Sequence, residues 1–181
     1  MGPPFLSIVT RCGRRPKALA RCVASVVAQT DQDLEHILIV DEEGRGMHAA
    51  NTSLFENRTR VDGRWVLILD DDDHLVHDTL IGELKEIVEA YSPEVVMVRM
   101  DGALGIIPDE RVWEKVPVVN HIATPNLIVR ADHWKRYIGA FGTRWCGDYY
   151  FAKALFDTGL KVYWHDVVAV RVPRRNYGRP E

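Results

Sequence analysis

Four consecutive carboxylates, Asp70 to Asp73, directly follow the apolar run 66–69 and are the side chains best suited to chemistry. The apolar run predicts a buried strand, and ligands of open α/β sheets bind beyond the carboxyl ends of strands. Adjacent anions repel one another, so we expect a compensating charge, for which Mg²⁺ or Mn²⁺ is the obvious candidate. Strand alternation predicts that Asp70 and Asp72 face one site while Asp71 and Asp73 face away. The alternative is a solvated acidic loop that caps the next helix.

Two further polar residues end predicted strands in the first half of the chain. Residues 5–10 form a predicted strand that ends at Thr10, and residues 36–40 form another that is followed by Asp41. An amphipathic helix is predicted between them over 16–28. This alternation indicates an α/β fold with a parallel, doubly wound sheet, whose right-handed crossovers bring the strand ends to one edge. We therefore expect Thr10, Asp41 and the aspartate run to meet in one crevice.

The second half of the chain continues the alternation around a long irregular stretch. Residues 101–122 contain two glycines and two prolines and are typical of a binding loop. Gly147 and Asp148 begin a helix that Gly159 ends, so Asp148 is a candidate catalytic carboxylate or simply a first-turn residue. The other predicted elements are helices over 47–57, 78–90 and 131–137, and strands over 94–100, 126–130 and 161–172.

Composition is consistent with a single folded domain and excludes several classes of protein. The 181 residues suffice for one domain, and a net charge of −3 gives no overall basic field for nucleic acid. No apolar run is long enough to predict a transmembrane segment, and no signal peptide is visible. The three cysteines are odd in number and lack metal-ligand spacing, which favours a reduced, cytoplasmic setting.

Several short motifs, taken in order, resemble those of family 2 glycosyltransferases of the GT-A fold. The fullest match is Leu-Asp-x-Asp-Asp, the metal (DXD) motif of that family, at 69–73. The other matches are Thr10, Arg15-Pro16, the Ser-x-x-x-Gln-Thr of 25–30, Gly139-Ala140-Phe141 and Gly147-Asp148. The sequence departs from the family at three places. Residues 40–44 differ from the family's Val-Asp-Asp-Gly by a substitution and an extra residue, Ala49-Ala50-Asn51 lacks an arginine, and Gly147 stands where the family has Glu.

The resemblance implies one GT-A domain over 1–181, a Rossmann-like sandwich with a central, mostly parallel sheet flanked by helices. Residues 5–100 would form the nucleotide-binding half, 101–172 the acceptor side, and 173–181 a basic tail. It further implies a nucleoside-diphosphate sugar donor and a carbohydrate, lipid-linked or other hydroxyl acceptor. Nothing in the sequence decides whether the protein forms a homodimer.

The resemblance also implies roles for particular residues in nucleotide binding. Asp41 would hydrogen-bond the base, and Thr10 and Arg11 would line the nucleotide pocket. Asp70 would lie at the ribose and the metal, and Asp71 would also contact the nucleotide.

The same resemblance implies metal-dependent, base-assisted chemistry. Asp70 and Asp72 would hold Mn²⁺ or Mg²⁺ at the diphosphate, and Asp148 would deprotonate the acceptor hydroxyl. A single base opposite the diphosphate predicts inversion at the anomeric carbon. His165 is a candidate third metal ligand. Weaker candidates are His74 and His77 as ligands, Arg174 and Arg175 as a diphosphate clamp, and Trp113, Trp134, Trp145 and Trp164 as platforms for sugar rings.

Three other functions are weighed against this one. A haloacid-dehalogenase-like phosphatase needs Thr two residues beyond its second Asp, where this chain has His74 or Leu75. A nucleotidyltransferase needs a Gly-rich loop after the first strand, and residues 10–13 are a poor version of one. The remaining alternative is a non-catalytic GT-A-like domain that binds a nucleotide sugar or a carbohydrate.

Overall fold

The computed structural model describes residues 2–41, 43–103 and 105–172. Within these ranges the chain forms a mixed α/β fold of eight strands and five α-helices. The strands are β1 (Leu6–Cys12), β2 (Leu34–Val40), β3 (Trp65–Ile68), β4 (His74–Leu75), β5 (Val95–Gly102), β6 (Gly105–Ile107), β7 (Leu127–Arg130) and β8 (Val162–Arg171). The helices are α1 (Pro16–Val27), α2 (Met47–Glu56), α3 (Leu80–Tyr91), α4 (Ala131–Tyr137) and α5 (Gly147–Phe156).

One sheet contains all of these strands, in the order β2-β1-β3-β7-β5-β8-β4, with β6 paired to β5. β1 pairs in parallel with both β2 and β3, and β5 pairs in parallel with β8. β7 lies antiparallel between β3 and β5, while β4 and β6 are antiparallel to their neighbours. Five strands therefore run in one direction and three run in the other. The sheet is therefore mostly parallel, as expected, and the antiparallel β4, β6 and β7 make it mixed.

Alternating side chains of the central strands give the protein two apolar cores, one on each face of the sheet. Leu67 and Leu69 belong to the core that α1 and α3 cover. Val66 and Ile68 belong to the core that α2, α4 and α5 cover. This arrangement follows from strand geometry, because successive side chains point to opposite faces. It fixes β3, and the aspartates after it, in the middle of the molecule.

Most predicted elements are confirmed to within one or two residues, two expectations are wrong, and one strand is not predicted. β1 continues to Cys12 because Arg11 and Cys12 still pair with β2, so Thr10 lies inside the strand and not at its end. The irregular stretch 101–122 contains the end of β5 and all of β6, which form a hairpin. The sequence does not predict the two-residue strand β4 after the aspartates, because its pairing partner is the distant strand β8.

No α-helix in the described ranges is both long enough and apolar enough to cross a membrane.

Candidate functional site

Two adjoining cavities open at the edge of the sheet where β1, β2 and β3 end. The first cavity has a volume of about 510 Å³ and lies between residues 11–15, the end of β2 and residues 44–53. The second cavity has a volume of about 320 Å³ and lies between the aspartate run, residues 120–125 and residues 141–148. Arg11, Met47 and Asp70 line both cavities. The parallel strands thus bring the predicted strand-end residues of β2 and β3 to one cleft.

The aspartate run forms a turn, so strand alternation does not govern it. β3 ends at Ile68, and the backbone N–H of Asp73 donates to the carbonyl of Asp70 at 2.9 Å. Asp70, Asp72 and Asp73 all line the second cavity, whereas Asp71 is 0% exposed and points away. The prediction that Asp73 faces away with Asp71 is therefore wrong, because the chain has already left the extended conformation at that point.

Two arginines compensate the charge of these carboxylates, Arg11 near the end of β1 and Arg15 in the loop that follows. Arg11 donates to both oxygens of Asp70, from Nε at 2.7 Å and from Nη2 at 2.5 Å. Arg15 forms ion pairs with Asp71 and Asp72. Such two-point guanidinium pairs are among the strongest hydrogen-bonded contacts in proteins. In the structure, arginines supply the compensating charge that the sequence analysis assigned to a cation.

Burial of the Asp71 and Asp72 carboxyl groups makes these ion pairs important for stability. Desolvation raises the pKa of both carboxyl groups above the ordinary value, although Arg15 acts in the opposite direction. Asp71 has one further donor, the backbone N–H of Gly13 at 2.7 Å from Oδ2. Without Arg15, both carboxylates would keep their desolvation cost and lose their main counter-charge.

We therefore expect Arg15→Gln to lower the free energy of unfolding by about 2 kcal/mol, below the range for fully buried pairs because Arg15 is partly exposed. Urea unfolding at neutral pH measures this loss. The double variant Arg15→Gln/Asp71→Asn should recover a substantial part of it, because it removes one unpaired charge. If both variants unfold alike, Arg15 does not act by compensating Asp71.

Arg11 is fixed in place between the two cavities. Its Nη1 donates to Oδ1 of Asn51 at 2.7 Å, and its guanidinium lies 5.5 Å from the centre of the Phe141 ring. Neither Asn51 nor Phe141 is among the site residues predicted from the sequence. A signal for Arg11 and Arg15 is present in the sequence, since residues 11–15 contain three arginines in five positions.

The first cavity has a positively charged wall and an apolar floor. Four guanidinium groups line it, against the carboxylates of Asp41 and Asp70, among the described residues. These groups belong to Arg11, Arg14, Arg15 and Arg45. Its apolar lining includes Ile39, Val40, Met47, Ala49 and Ala50. Such a cavity is suited to a ligand that combines a flat, weakly polar body with a strongly anionic group.

Asp41 lies at the first cavity, as predicted, and organises the loop beside it. Its carboxylate accepts hydrogen bonds from the backbone N–H of Gly44 at 3.1 Å and from that of Arg45 at 2.7 Å. Desolvation would raise the pKa of Asp41, but the contacts with Arg45 and Gly44 lower it below the ordinary value. Asp41 is thus an ionised residue at the rim of the cavity.

Asp148 lines the second cavity, together with Asp70 and Asp72. It lies in the first turn of α5, is half-buried, and accepts a hydrogen bond from the backbone N–H of Tyr149 at 2.8 Å. Desolvation raises the pKa of Asp148 above the ordinary value, although Arg11 acts in the opposite direction. A half-buried carboxylate at a cavity wall, with a raised pKa, is chemically suited to act as a general base.

Gly147, which stands where the resemblance would place Glu, is explained by packing. A Cβ atom here would lie 2.3 Å from Cδ1 of Phe141 and 2.7 Å from the carbonyl oxygen of the same residue. No side chain fits at that distance unless the Phe141 backbone moves. The absence of a carboxylate at this position is therefore a steric requirement of how α5 packs against Phe141.

Some predicted residues are not brought to either cavity. Thr10 is buried inside β1, with its Oγ1 2.8 Å from Nε2 of His36. Nε2 of His165 lies 2.9 Å from Oε2 of Glu83, away from the aspartates. Neither His74 nor His77 lines the cavities. Arg174 and Arg175 lie outside the described residues.

Three of the four tryptophans named as candidate platforms have packing roles instead. Trp134 is buried against Phe151, and the ring of Trp113 lies 5.0 Å from that of Trp164. Trp145 differs from them because it is 72% exposed and lines the second cavity.

The arrangement of the carboxylates determines whether a divalent cation fits this site. No group of three or more His, Cys, Asp or Glu side chains in the described ranges is arranged as a metal cage. Asp70 and Asp72 nevertheless present partly exposed carboxylates to the second cavity. Mg²⁺ is usually held by one or two carboxylates together with substrate phosphates, so these two residues fit a cation that binds with a phosphorylated ligand.

Comparison with solved structures shows that this chain shares its fold with TarS of Staphylococcus aureus. The crystal structure of Staphylococcus aureus TarS 1-349 in complex with UDP-GlcNAc superposes with a TM-score of 0.69 at 16% identity, over 97% of this chain and 60% of that one. The complex of the same fragment with UDP gives a TM-score of 0.67 at 15% identity, over 93% of this chain. The chain spans about 60% of the TarS fragment that it matches.

A shorter structure, A197 from STIV, matches with a TM-score of 0.56 at 14% identity, over 90% of this chain and 82% of that one. No protein-family model and no curated protein matches the sequence. At these identities the likeness shows the fold, and family 2 membership stays a prediction.

Proposed function

We propose that the protein is a metal-dependent, inverting glycosyltransferase that moves a sugar from a nucleoside-diphosphate sugar to an acceptor hydroxyl. The observation that carries the proposal is the pair of cavities that meet at Arg11 and Asp70. One cavity is suited to a nucleotide and its diphosphate, and the other holds the candidate base. The likeness to TarS, which has been solved with UDP-GlcNAc and with UDP, supports the same assignment at the level of the fold.

The nucleotide occupies the first cavity in this proposal. Its base lies against the apolar lining near Asp41, and its diphosphate lies at the guanidinium groups of Arg11 and Arg15. Both guanidinium groups are held in place by aspartates, so they attract the diphosphate as fixed positive charges. The donor sugar then reaches past Asp70 into the second cavity, towards Asp148.

Asp148 acts on the acceptor. Its carboxylate takes the proton of the acceptor hydroxyl as that oxygen forms a bond to the anomeric carbon. The bond between the anomeric carbon and the phosphate oxygen breaks, and its electron pair leaves with the diphosphate. Mn²⁺ or Mg²⁺ held by Asp70 and Asp72 would neutralise charge on the leaving phosphate. Arg11 and Arg15 contribute fixed positive charge to the same end. Attack from the side opposite the diphosphate inverts the anomeric configuration.

Nucleotide binding is the first test. A thermal-shift screen of UDP, GDP, CDP and dTDP, each with and without Mn²⁺, should identify one nucleotide that stabilises the protein. A ligand at 100 times its dissociation constant adds about 2.7 kcal/mol to the free energy of unfolding. Arg11→Gln should weaken the effect because it removes a diphosphate contact. The exposed arginine variant Arg60→Gln, on the turn after α2, is the matched control and should behave as the wild type. No stabilisation by any of the four nucleotides would contradict the proposal.

A binding domain without catalysis is the second candidate function. The glycine at 147, where the resemblance would place Glu, favours it, because the site then has one carboxylate fewer. A binding domain would retain nucleotide binding and show no donor hydrolysis or transfer with any acceptor, and Asp148→Asn would change nothing. Mn²⁺-dependent turnover that Asp148→Asn removes would exclude it.

A further inference from the structure

The exposed indole of Trp145 is an unusual feature of the second cavity. Trp145 is 72% exposed, the largest exposed fraction among the large apolar side chains of the described residues. It lines the cavity that also contains Asp148, three positions further along the chain. A large aromatic ring at the mouth of a polar cavity offers a flat apolar surface to a ligand at little cost in side-chain entropy.

The backbone on both sides of Trp145 is held in place by neighbouring elements. Nδ1 of His48 contacts the carbonyl oxygen of Thr143, and Nδ2 of Asn51 donates to the carbonyl of Arg144 at 3.4 Å. Cys146 then adopts a left-handed conformation, with φ of 63°, before α5 begins. A non-glycine residue in this conformation is strained and persists only where the surroundings determine it. Trp145 is thus presented to the second cavity by contacts with α2 and by the start of α5.

The charge of the second cavity restricts the kind of ligand that can stack on the indole ring of Trp145. Four aspartates line it, namely Asp70, Asp72, Asp73 and Asp148. Arg11 pairs with Asp70 and Arg15 pairs with Asp72, so carboxyl groups still outnumber guanidinium groups among the described residues. Acidic groups on an incoming ligand would face like charges, which costs affinity and slows association. The remaining lining includes apolar side chains, among them Met47, Ile122 and Pro125. The cavity therefore favours a neutral ligand with both hydroxyl groups and an apolar face.

We infer that Trp145 is the acceptor platform of the protein, stacking on the C–H face of a neutral pyranose ring whose hydroxyl is directed towards Asp148. This inference rests on the proposed function and makes it more specific. The acceptor is a neutral carbohydrate and not a phosphate-bearing polymer or an acidic peptide. Trp145 is a positioning residue, because it holds the acceptor and takes no part in the proton transfer.

The test titrates neutral disaccharides, namely cellobiose, lactose, maltose and chitobiose, by saturation-transfer NMR with and without the nucleotide that the screen identifies. We expect at least one to bind, and Trp145→Ala to weaken it about tenfold, within the range that aromatic stacking contributes. Trp145→Phe should stay within about threefold of the wild type. Val27→Ala changes an equally exposed side chain on α1 and is the control, which should have no effect.

Three results would overturn the inference: no binding of any neutral disaccharide, equal binding by wild type and Trp145→Ala, or lactose 1-phosphate binding as tightly as lactose in the same titration. Nucleotide binding provides a separate readout, because Trp145 does not line the first cavity. If no nucleotide stabilises the wild-type protein, that result would count against the proposed function alone. In a transfer assay, Trp145→Ala should raise the KM for the acceptor and leave that for the donor unchanged.

Discussion

Asp148→Asn should lower the rate of sugar transfer by about 10²- to 10⁴-fold, the usual contribution of a positioned general base, and leave nucleotide affinity unchanged. The amide keeps the size of the side chain and cannot accept the proton of the acceptor. Asp148 lines the second cavity and not the first, which is why donor binding should not respond. The measurement compares turnover with nucleotide binding for the same preparation.

The raised pKa of Asp148 gives this prediction a dependence on pH. Because desolvation raises that pKa, the basic form is lost as the pH falls through a value above the ordinary one of 3.8. The acid limb of kcat/KM should lie at that raised value and disappear from any residual activity of Asp148→Asn.

Stability should change in the opposite direction from activity. A carboxyl group with a raised pKa in the folded protein stabilises it below the unfolded-state pKa and loses that contribution as the pH rises through the folded-state value. At neutral pH, Asp148→Asn should therefore unfold at an equal or higher temperature than the wild type. Asp157→Asn, on an exposed residue at the end of the same helix, is the matched control and should retain activity. A transfer rate for Asp148→Asn within tenfold of the wild type would remove Asp148 from the mechanism.

Gly147→Ala should destabilise the protein by about 3 kcal/mol or more, the upper end of the range for overpacked sites. The added Cβ would lie 2.3 Å from a ring carbon of Phe141 and 2.7 Å from the carbonyl oxygen of the same residue. The ring can rotate, but the carbonyl can move only with the backbone. Since the ring of Phe141 also lies under Arg11, its displacement should disturb both cavities.

A matched control is available in α3. At Gly82, a helical position like Gly147, an added Cβ would have no atom within 4 Å. Gly82→Ala should stabilise the helix by about 0.5–1 kcal/mol, because alanine loses less backbone entropy on folding. Urea unfolding of the two variants should thus give shifts of opposite sign. If Gly147→Ala unfolds like the wild type, packing against Phe141 does not explain the glycine.

The sequence by itself determined the elements and the approximate place of the site. Apolar periodicity predicted α1, α3 and α5 to within two residues, because a helix that packs on a sheet must repeat its apolar side chains every three to four residues. The position of the aspartates directly after β3, and of Asp41 after β2, predicted their meeting, since both strands pair in parallel with β1. These features depend on local pattern and on general rules of sheet topology.

Only the tertiary structure decided how the charges are arranged and which partners they have. Arg11 meets Asp70 across 59 residues, and the loop after β1 brings Arg15 to Asp71 and Asp72. Distant segments likewise determine four other features. These are the turn at 70–73, the burial of Thr10, the reversed direction of β7 and the lack of space at Gly147. The physical reason is that the type and spacing of side chains determine which chemical groups they can bind. The actual partner of a side chain depends on which remote segments the packed core places beside it.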